Sequence, residues 1–206
     1  MTKFKWGFIG TGNIARAMAS ALHHVPGADR FAVASRSDET ARTFAIEFGF
    51  DRAYSSYDAL MADQDIDIVY VATPNDLHKK NILSALAAGK HVLCEKPMTL
   101  SVADSEQCFA AAREAGLFLM EAFWTAFFPA MRKAIEIIRS GEIGTPCHFT
   151  ANFVSLRTRM PIRSCSIPRL AVGRGMTWAS IRWPRHCYLL VQPTESLRIR
   201  SSVRPA

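Results

Sequence analysis

Glu95 and Lys96, followed by Pro97, close the apolar run His91-Val92-Leu93-Cys94. An acid beside a lysine at the end of a buried strand can hold hydroxyl groups with one side chain and polarise or deprotonate an oxygen with the other. Pro97 restricts Lys96 toward extended geometry and permits a cis Lys96-Pro97 bond. A buried lysine without a partner is costly, so Lys96 either neighbours a ligand or is a solvated lysine after a strand.

A second constellation lies near the start of the chain. Gly10-Thr11-Gly12-Asn13-Ile14-Ala15 has the form G-x-G-x-x-A, after the apolar run Lys5-Trp6-Gly7-Phe8-Ile9 and before the helix-forming stretch Asn13 to Leu22. In such a strand-turn-helix the first glycine makes the tight turn, the second lets the backbone approach a pyrophosphate, and the small sixth residue lets helix and strand pack closely. The hexapeptide alone is a weak signal, and the flanking strand and helix strengthen it. The alternative is a glycine turn that packs and binds nothing.

A cofactor without a 2′-phosphate is usually met by an acid at the end of the second strand, about 20 residues on. Here that position reads Ser35-Arg36-Ser37. Two hydroxyls and a guanidinium suit a phosphate better than a bare ribose, so NADP(H) is expected ahead of NAD(H). Arg36 could instead stack on the adenine of either cofactor. Thr73-Pro74-Asn75 and His78 follow a third apolar run and fall on the same sheet edge. His78 is open to two readings, one facing the nicotinamide ribose and one merely decorating a helix start.

These residues need elements to position them. Strands are expected at Lys5 to Ile9, Phe31 to Ala34, Asp67 to Ala72, His91 to Cys94 and Phe118 to Met120. Helices are expected at Asn13 to Leu22, Asp38 to Phe48, about Asp76 to Ala88, from Ser101 to Glu114, and Phe127 to Arg139. Strands alternating with helices of this length imply an α/β fold, a Rossmann-type doubly wound parallel sheet. Ligands of such a sheet lie beyond the carboxyl ends of its strands, which gathers Gly10 to Ile14, Ser35, Arg36, Thr73, Asn75, His78, Glu95 and Lys96 along one edge.

At 206 residues and 49% hydrophobic, the chain can build one domain and part of another. No apolar run approaches the roughly 18 residues of a membrane span, and no signal segment is evident, so a cytoplasmic protein with no membrane partner is expected. Cys94, Cys108, Cys147, Cys165 and Cys187 are odd in number and lack metal-ligand spacing, which argues for free thiols and against a metal site. The net charge of +7 is uneven. Residues 1 to 153 carry 15 Lys and Arg against 17 Asp and Glu, whereas residues 154 to 206 carry 10 Arg and the single acid Glu195.

Taken in order, the glycine fingerprint, Ala72-Thr73-Pro74-Asn75-Asp76-Leu77-His78, Gly89-Lys90-His91-Val92-Leu93-Cys94-Glu95-Lys96-Pro97 and Met120-Glu121-Ala122-Phe123-Trp124 make residues 3 to about 153 resemble the Gfo/Idh/MocA oxidoreductases. The resemblance is to the branch of dimeric dihydrodiol dehydrogenases and NADP-dependent D-xylose dehydrogenases. It implies a Rossmann domain over residues 1 to 122 and an α/β domain opening at 123 to 153 that would carry substrate and dimer contacts. It also implies that Lys96 is catalytic, Glu95 is on the cofactor and Trp124 is on the substrate side. Ala126 departs from that branch, where arginine usually follows Trp-Thr, a departure that bears on one substrate-side contact.

The family's lysine works with a residue from an Asp-Leu-Gly-Val-Tyr-like segment, which this chain lacks in frame. Joining the third base of each codon to the first two of the next forces Asp from Met176-Thr177, Gly from Trp178-Ala179 and Ala from Trp183-Pro184. The codons of Ser180-Ile181 permit the tyrosine. Residues 154 to 206 therefore read as a tail frameshifted between about Phe153 and Pro161, with no clean periodicity of its own. The alternative is a lineage-specific basic tail.

The expected function is hydride transfer between NADP(H), or NAD(H) as second choice, and the CH-OH or carbonyl carbon of a diol or sugar. The chain as written is expected to be inactive or weakly active. The alternatives are a nucleotide-binding module without turnover and nucleic-acid binding through the arginine-rich tail. The last has an electrostatic basis but no recognition fold, so no nucleic-acid partner is expected.

Overall fold

The computed structural model describes residues 3–146 and a two-residue antiparallel pair, β7 (Arg182–Trp183) with β8 (Cys187–Tyr188). The proposed frameshifted tail otherwise lies outside the described residues. The chain divides into two compact units, Met1–Phe123 and Trp124–Ala206.

The first unit is built on six parallel strands, β1 (Phe4–Ile9), β2 (Ala28–Ala34), β3 (Arg52–Tyr54), β4 (Ile68–Val71), β5 (His91–Cys94) and β6 (Leu119–Glu121), in the order β3-β2-β1-β4-β5-β6. The chain winds outward from β1 to β3, returns to β4 beside β1, and winds the other way to β6. The reversal between β1 and β4 is the switch point at which such sheets bind ligands.

Alternation along the strands divides the core into two layers, as a strand buried on both faces requires. Phe8, Val33, Tyr70 and Leu93 pack with Ala15, Ala19 and Leu22 of α1 (Asn13–Leu22) and Phe44 of α2 (Asp38–Phe48). Their neighbours Ile9, Ala34, Val69, Val71, Val92 and Cys94 pack on the other face against α3 (Tyr57–Ala62), α4 (His78–Ala87) and α5 (Val102–Glu114). Phe8 meets the rings of Phe50 and Tyr70 at 5.0 and 4.8 Å between centroids. Cys94 and Cys108 are buried free thiols, and burial pushes both above the ordinary thiol range. Among the described residues no helix is long and apolar enough to cross a membrane.

Serine caps start three helices. Ser37, Ser56 and Ser101 accept the amides of Thr40, Ala59 and Asp104, which satisfies a donor that the first turn leaves open. Gly49, in the left-handed region at φ 67°, stops α2. The Ser37 hydroxyl, expected to help hold a phosphate, is thus engaged in capping.

Several expected elements shift: β2 begins three residues earlier than expected, at Ala28, β1 one residue earlier, and β4 is one residue shorter at each end. The helix expected from Asp76 begins as a 3-10 turn, Asn75–Leu77, and becomes α-helical only at His78. In the second unit, the helix expected from Phe127 starts at Pro129 as α6 (Pro129–Arg139), after a 3-10 turn at Trp124–Phe127. Pro129 forces Phe128 out of the helical region, to φ −63° and ψ 135°. The strand expected at Phe118 begins one residue later, because the Phe118 amide donates to His91 Nδ1 while its carbonyl accepts from Val92. β3 and α3 were not anticipated, because three strand residues and six helical ones are too few for periodicity to register.

A polar network ties the amino edge of the sheet. Asp63, with a side chain only 7% exposed, accepts from Arg52 Nη1 and Tyr54 Oη at 2.7 Å each and from the Asp65 amide at 3.0 Å. Burial pushes its carboxyl upward, but these donors outweigh it and hold it below the ordinary carboxylate range. The buried Lys90 ammonium donates to the Asp63 carbonyl at 2.7 Å. A depressed carboxyl contributes stability above its unfolded pKa and loses that contribution as pH falls through the folded value. Asp63→Asn is therefore expected to cost roughly 1.5–3 kcal/mol at neutral pH. It should also flatten the loss of stability below about pH 4, measured by denaturant unfolding across pH.

Candidate functional site

The carboxyl edge of the sheet gathers the candidate residues of the first unit. Gly10 leaves β1 with its amide donating to the Ala34 carbonyl at 3.0 Å, while the Ala72 amide donates to Ile9 O at 2.9 Å. Gly10 has φ 99°, and a Cβ there would sit 2.5 Å from the Ala72 carbonyl oxygen. Only glycine fits a left-handed turn against a neighbouring backbone. Gly12 is different, since a Cβ on it meets nothing within 4 Å. It precedes α1, whose start has no side-chain cap, while the Arg16 amide closes on Gly12 O at 3.1 Å. The backbone around Thr11, Gly12, Asn13 and Ile14 is therefore open to an approaching group at a helix N-terminus with uncommitted amides.

At the end of β2, Ser35 is buried and its amide donates to Tyr54 O at 3.1 Å. Arg36 is exposed, and among the described residues it has no carboxylate within ion-pair distance. It lies close enough to the half-buried Tyr57 to offset part of the upward shift that burial imposes on that phenol. A guanidinium without an acidic partner beside a helix-capping serine is a fit for a phosphate rather than for ribose hydroxyls.

Past β4, Thr73 and His78 turn inward. Thr73 Oγ1 accepts from Asn81 Nδ2 at 2.9 Å. His78 is 0% exposed, with Nε2 2.8 Å from Thr73 O and Nδ1 2.9 Å from Pro97 O. Both partners are carbonyl acceptors, so the ring N–H donates toward one of two loops that it joins. Neither expectation for His78 holds, because a side chain with no exposure can neither decorate a helix start nor reach a ribose. Asn75 is exposed at the start of its 3-10 turn.

The turn after β5 is the most tightly held part of this edge. The Glu95 amide donates to Val71 O at 2.9 Å, and the Ala122 amide donates to Cys94 O at 2.7 Å. Tyr70 Oη donates to Glu95 Oε1 at 2.5 Å. Burial, then the Glu95 carboxylate, push the Tyr70 phenol far above its ordinary value, which keeps it a donor. The Lys96-Pro97 bond is cis. The Met98 amide donates to Glu121 Oε1 at 2.8 Å, and Cys94 Sγ lies 3.4 Å from Glu95 O. Lys96 itself is half-buried, and among the described residues its Nζ has no hydrogen-bond or ion-pair partner. A fixed turn thus presents one unengaged ammonium.

Tyr70 and Glu121 were not singled out from sequence, although each carries a signal. Tyr70 is the residue of β4 with a polar tip, and Glu121 is a charged residue ending a strand. Trp124 falls in the second unit, where it is 63% exposed and packs edge-on against Phe128 at 5.9 Å.

The comparisons with known proteins point to the same fold. The chain is 42% identical over 142 residues to trans-1,2-dihydrobenzene-1,2-diol dehydrogenase of Mus musculus, covering 68% of this chain and 43% of the relative. It is 45% identical over 153 residues to the D-xylose 1-dehydrogenase (NADP(+)) of Hypocrea jecorina, covering 68% and 39%. Among solved structures, a 3-ketoreductase from Actinomadura kijaniata in complex with NADP matches with TM-score 0.65 and 40% identity over 69% of this chain and 46% of that one. An NAD-binding oxidoreductase from Klebsiella pneumoniae matches with TM-score 0.66 and 33% identity, over 70% and 41%. The chain spans less than half the length of these relatives. The sequence profile of an oxidoreductase family with an NAD-binding Rossmann fold matches residues 4–123, the whole span of the parallel sheet and its carboxyl-edge turns, and the chain belongs to that family, Gfo/Idh/MocA.

Proposed function

We propose that the chain carries the cofactor side of a dehydrogenase that moves a hydride between NADP(H) and the CH-OH or carbonyl carbon of a diol or sugar. The observation that carries this reading is the unengaged Lys96 ammonium on a fixed turn at the carboxyl end of β5. Backbone amides from Thr11 to Ile14 hold the pyrophosphate, with Gly10 making their turn possible. Ser35 and Arg36 take the 2′-phosphate. Asn75 and the backbone at Thr73 border the nicotinamide end, the Thr73 hydroxyl being bonded inward to Asn81, and Glu95, fixed by Tyr70, receives ribose hydroxyls. When bound, the nicotinamide supplies the hydride acceptor or donor. As the ammonium, Lys96 would donate a proton to the substrate oxygen when a carbonyl is reduced and become the neutral amine; in the reverse direction that neutral amine would take the proton of the alcohol and return to the ammonium. For Trp124, in the second unit, a substrate-side role rests on the family resemblance alone.

The names of the relatives support the substrate class, since they are a dihydrodiol dehydrogenase and a xylose dehydrogenase. A second reading, nucleotide binding without turnover, follows if the tyrosine that the Ser180-Ile181 codons permit is encoded only out of frame. Nucleotide sequencing across codons 153 to 161 tests the frameshift, and an unbroken frame with unrelated codons in the shifted reading would refute it. Turnover then separates the readings. With D-xylose or a dihydrodiol and NADP+, followed by the absorbance of reduced cofactor, this chain is expected to give little or no rate. The frame-restored chain is expected to turn over and to lose roughly 10²–10⁴-fold in kcat with Lys96→Ala. Restored activity indifferent to Lys96→Ala sinks the role given to that lysine.

A further inference from the structure

The turn Glu95 to Met98 is tied to three different elements, and the tie nearest the sheet edge comes from β6. Tyr70 of β4 holds the Glu95 carboxylate, His78 at the start of α4 faces the Pro97 carbonyl, and Glu121 at the end of β6 accepts the Met98 amide at 2.8 Å. Register explains why Glu121 is in reach. It pairs with Cys94 in the β5–β6 ladder, and alternation along β6 sends it away from the face shared by Met120 and Ala122. That is the side on which Cys94 and Met98 are buried.

We propose that Glu121, together with His78, is the positioning residue of Lys96. This rests on the reading of Lys96 as the lysine that faces cofactor and substrate. Lys96 has no side-chain partner of its own among the described residues, so the direction of its ammonium is set by the backbone on either side. Glu121 fixes that backbone two residues on, through an ionised acceptor, the stronger class of hydrogen bond. Met98 is only 4% exposed, and its amide has no ready water to replace a lost acceptor. Removing the carboxylate leaves a buried donor unpaired, which drives the turn to rearrange. The Gly10 to Ile14 turn and the Ser35-Arg36 pair are fixed by other contacts and keep their geometry.

The test reads Met98 and Lys96 directly. Glu121→Met matches the side chain in length but lacks a good acceptor, while Glu121→Gln keeps a carbonyl oxygen for the amide. Each is compared with the unaltered chain by hydrogen exchange at the Met98 amide and by the rate at which an amine-acylating reagent modifies Lys96, with and without NADPH. Glu121→Met is expected to speed Met98 exchange by at least about tenfold and to abolish the protection of Lys96 by NADPH, although NADPH still binds. Glu121→Gln is expected to restore most of both. Should Glu121→Met fail to fold, Glu121→Ala and Glu121→Gln are compared in the same way. Slow Met98 exchange or full protection of Lys96 in the acceptor-free variant overturns the proposal. Loss of protection that Glu121→Gln does not restore overturns it too. If NADPH binds the unaltered chain without protecting Lys96, the cofactor-side reading of Lys96 fails instead. The anchoring is then decided by Met98 exchange and by the unliganded acylation rate of Lys96.

Discussion

Gly10→Ala is expected to destabilise the first unit by roughly 2–6 kcal/mol and to remove NADPH binding. Two costs combine. The φ of 99° is a region that L side chains occupy at about 1–3 kcal/mol. The added methyl would also lie 2.5 Å from the Ala72 carbonyl oxygen and 2.8 Å from its carbon, and forced overpacking typically costs about another 1–3 kcal/mol. The neighbour is backbone held by the Ala72 amide on Ile9 O, so it cannot swing aside as a flexible side chain could. Relief must come from moving the β1–α1 turn, which displaces the amides proposed to hold a pyrophosphate. Since domains are stable by only about 5–15 kcal/mol, the thermal midpoint should fall by many degrees. Gly12→Ala is the control, because its methyl meets nothing within 4 Å. It should leave stability nearly unchanged and weaken only NADPH binding. Thermal unfolding with and without NADPH checks both. Equal loss of stability in the two variants would mean that the close approach at Ala72 does not matter.

Arg36→Ala is expected to weaken NADPH binding by about tenfold to a hundredfold, the range of a charge-assisted hydrogen bond, and to leave NADH binding within a few-fold. The reason is position. Arg36 stands past the end of β2, exposed and without a carboxylate partner among the described residues, so it has no structural duty whose loss would disturb the fold. Parallel titrations of both cofactors on both proteins check this. An equal loss for NADPH and NADH would instead mean that the guanidinium stacks on the adenine, which the two cofactors share.

Local signals made much of this unit legible. Ser37 and Gly49 bracket α2, and its observed bounds, Asp38 to Phe48, are those that the cap and the stop imply. β5 is likewise His91–Cys94, since a short apolar run flanked by polar residues has few other readings. The glycine turn could be placed because its spacing encodes its geometry. What escaped was set by register across the sheet. Tyr70 reaches Glu95 because β4 and β5 pair Val71 with Cys94, and Glu121 reaches Met98 because β5 and β6 pair Cys94 with Glu121. No window of sequence contains either pair. His78 was misplaced for a related reason: its partners, Thr73 and Pro97, lie five residues before it and nineteen after it, and only the parallel crossover brings the second one near. The short β3 and α3 carried a cap at Ser56 but too little pattern to be seen.

In the proposed function the first unit of this family member binds NADP(H), with the 2′-phosphate on Ser35 and Arg36. Calorimetric titration of the unaltered chain with NADPH and with NADH tests it most directly. Tight binding of NADPH, at least about tenfold stronger than NADH, is the expected result. Binding of NADH without NADPH, or of neither by a folded chain, would contradict it.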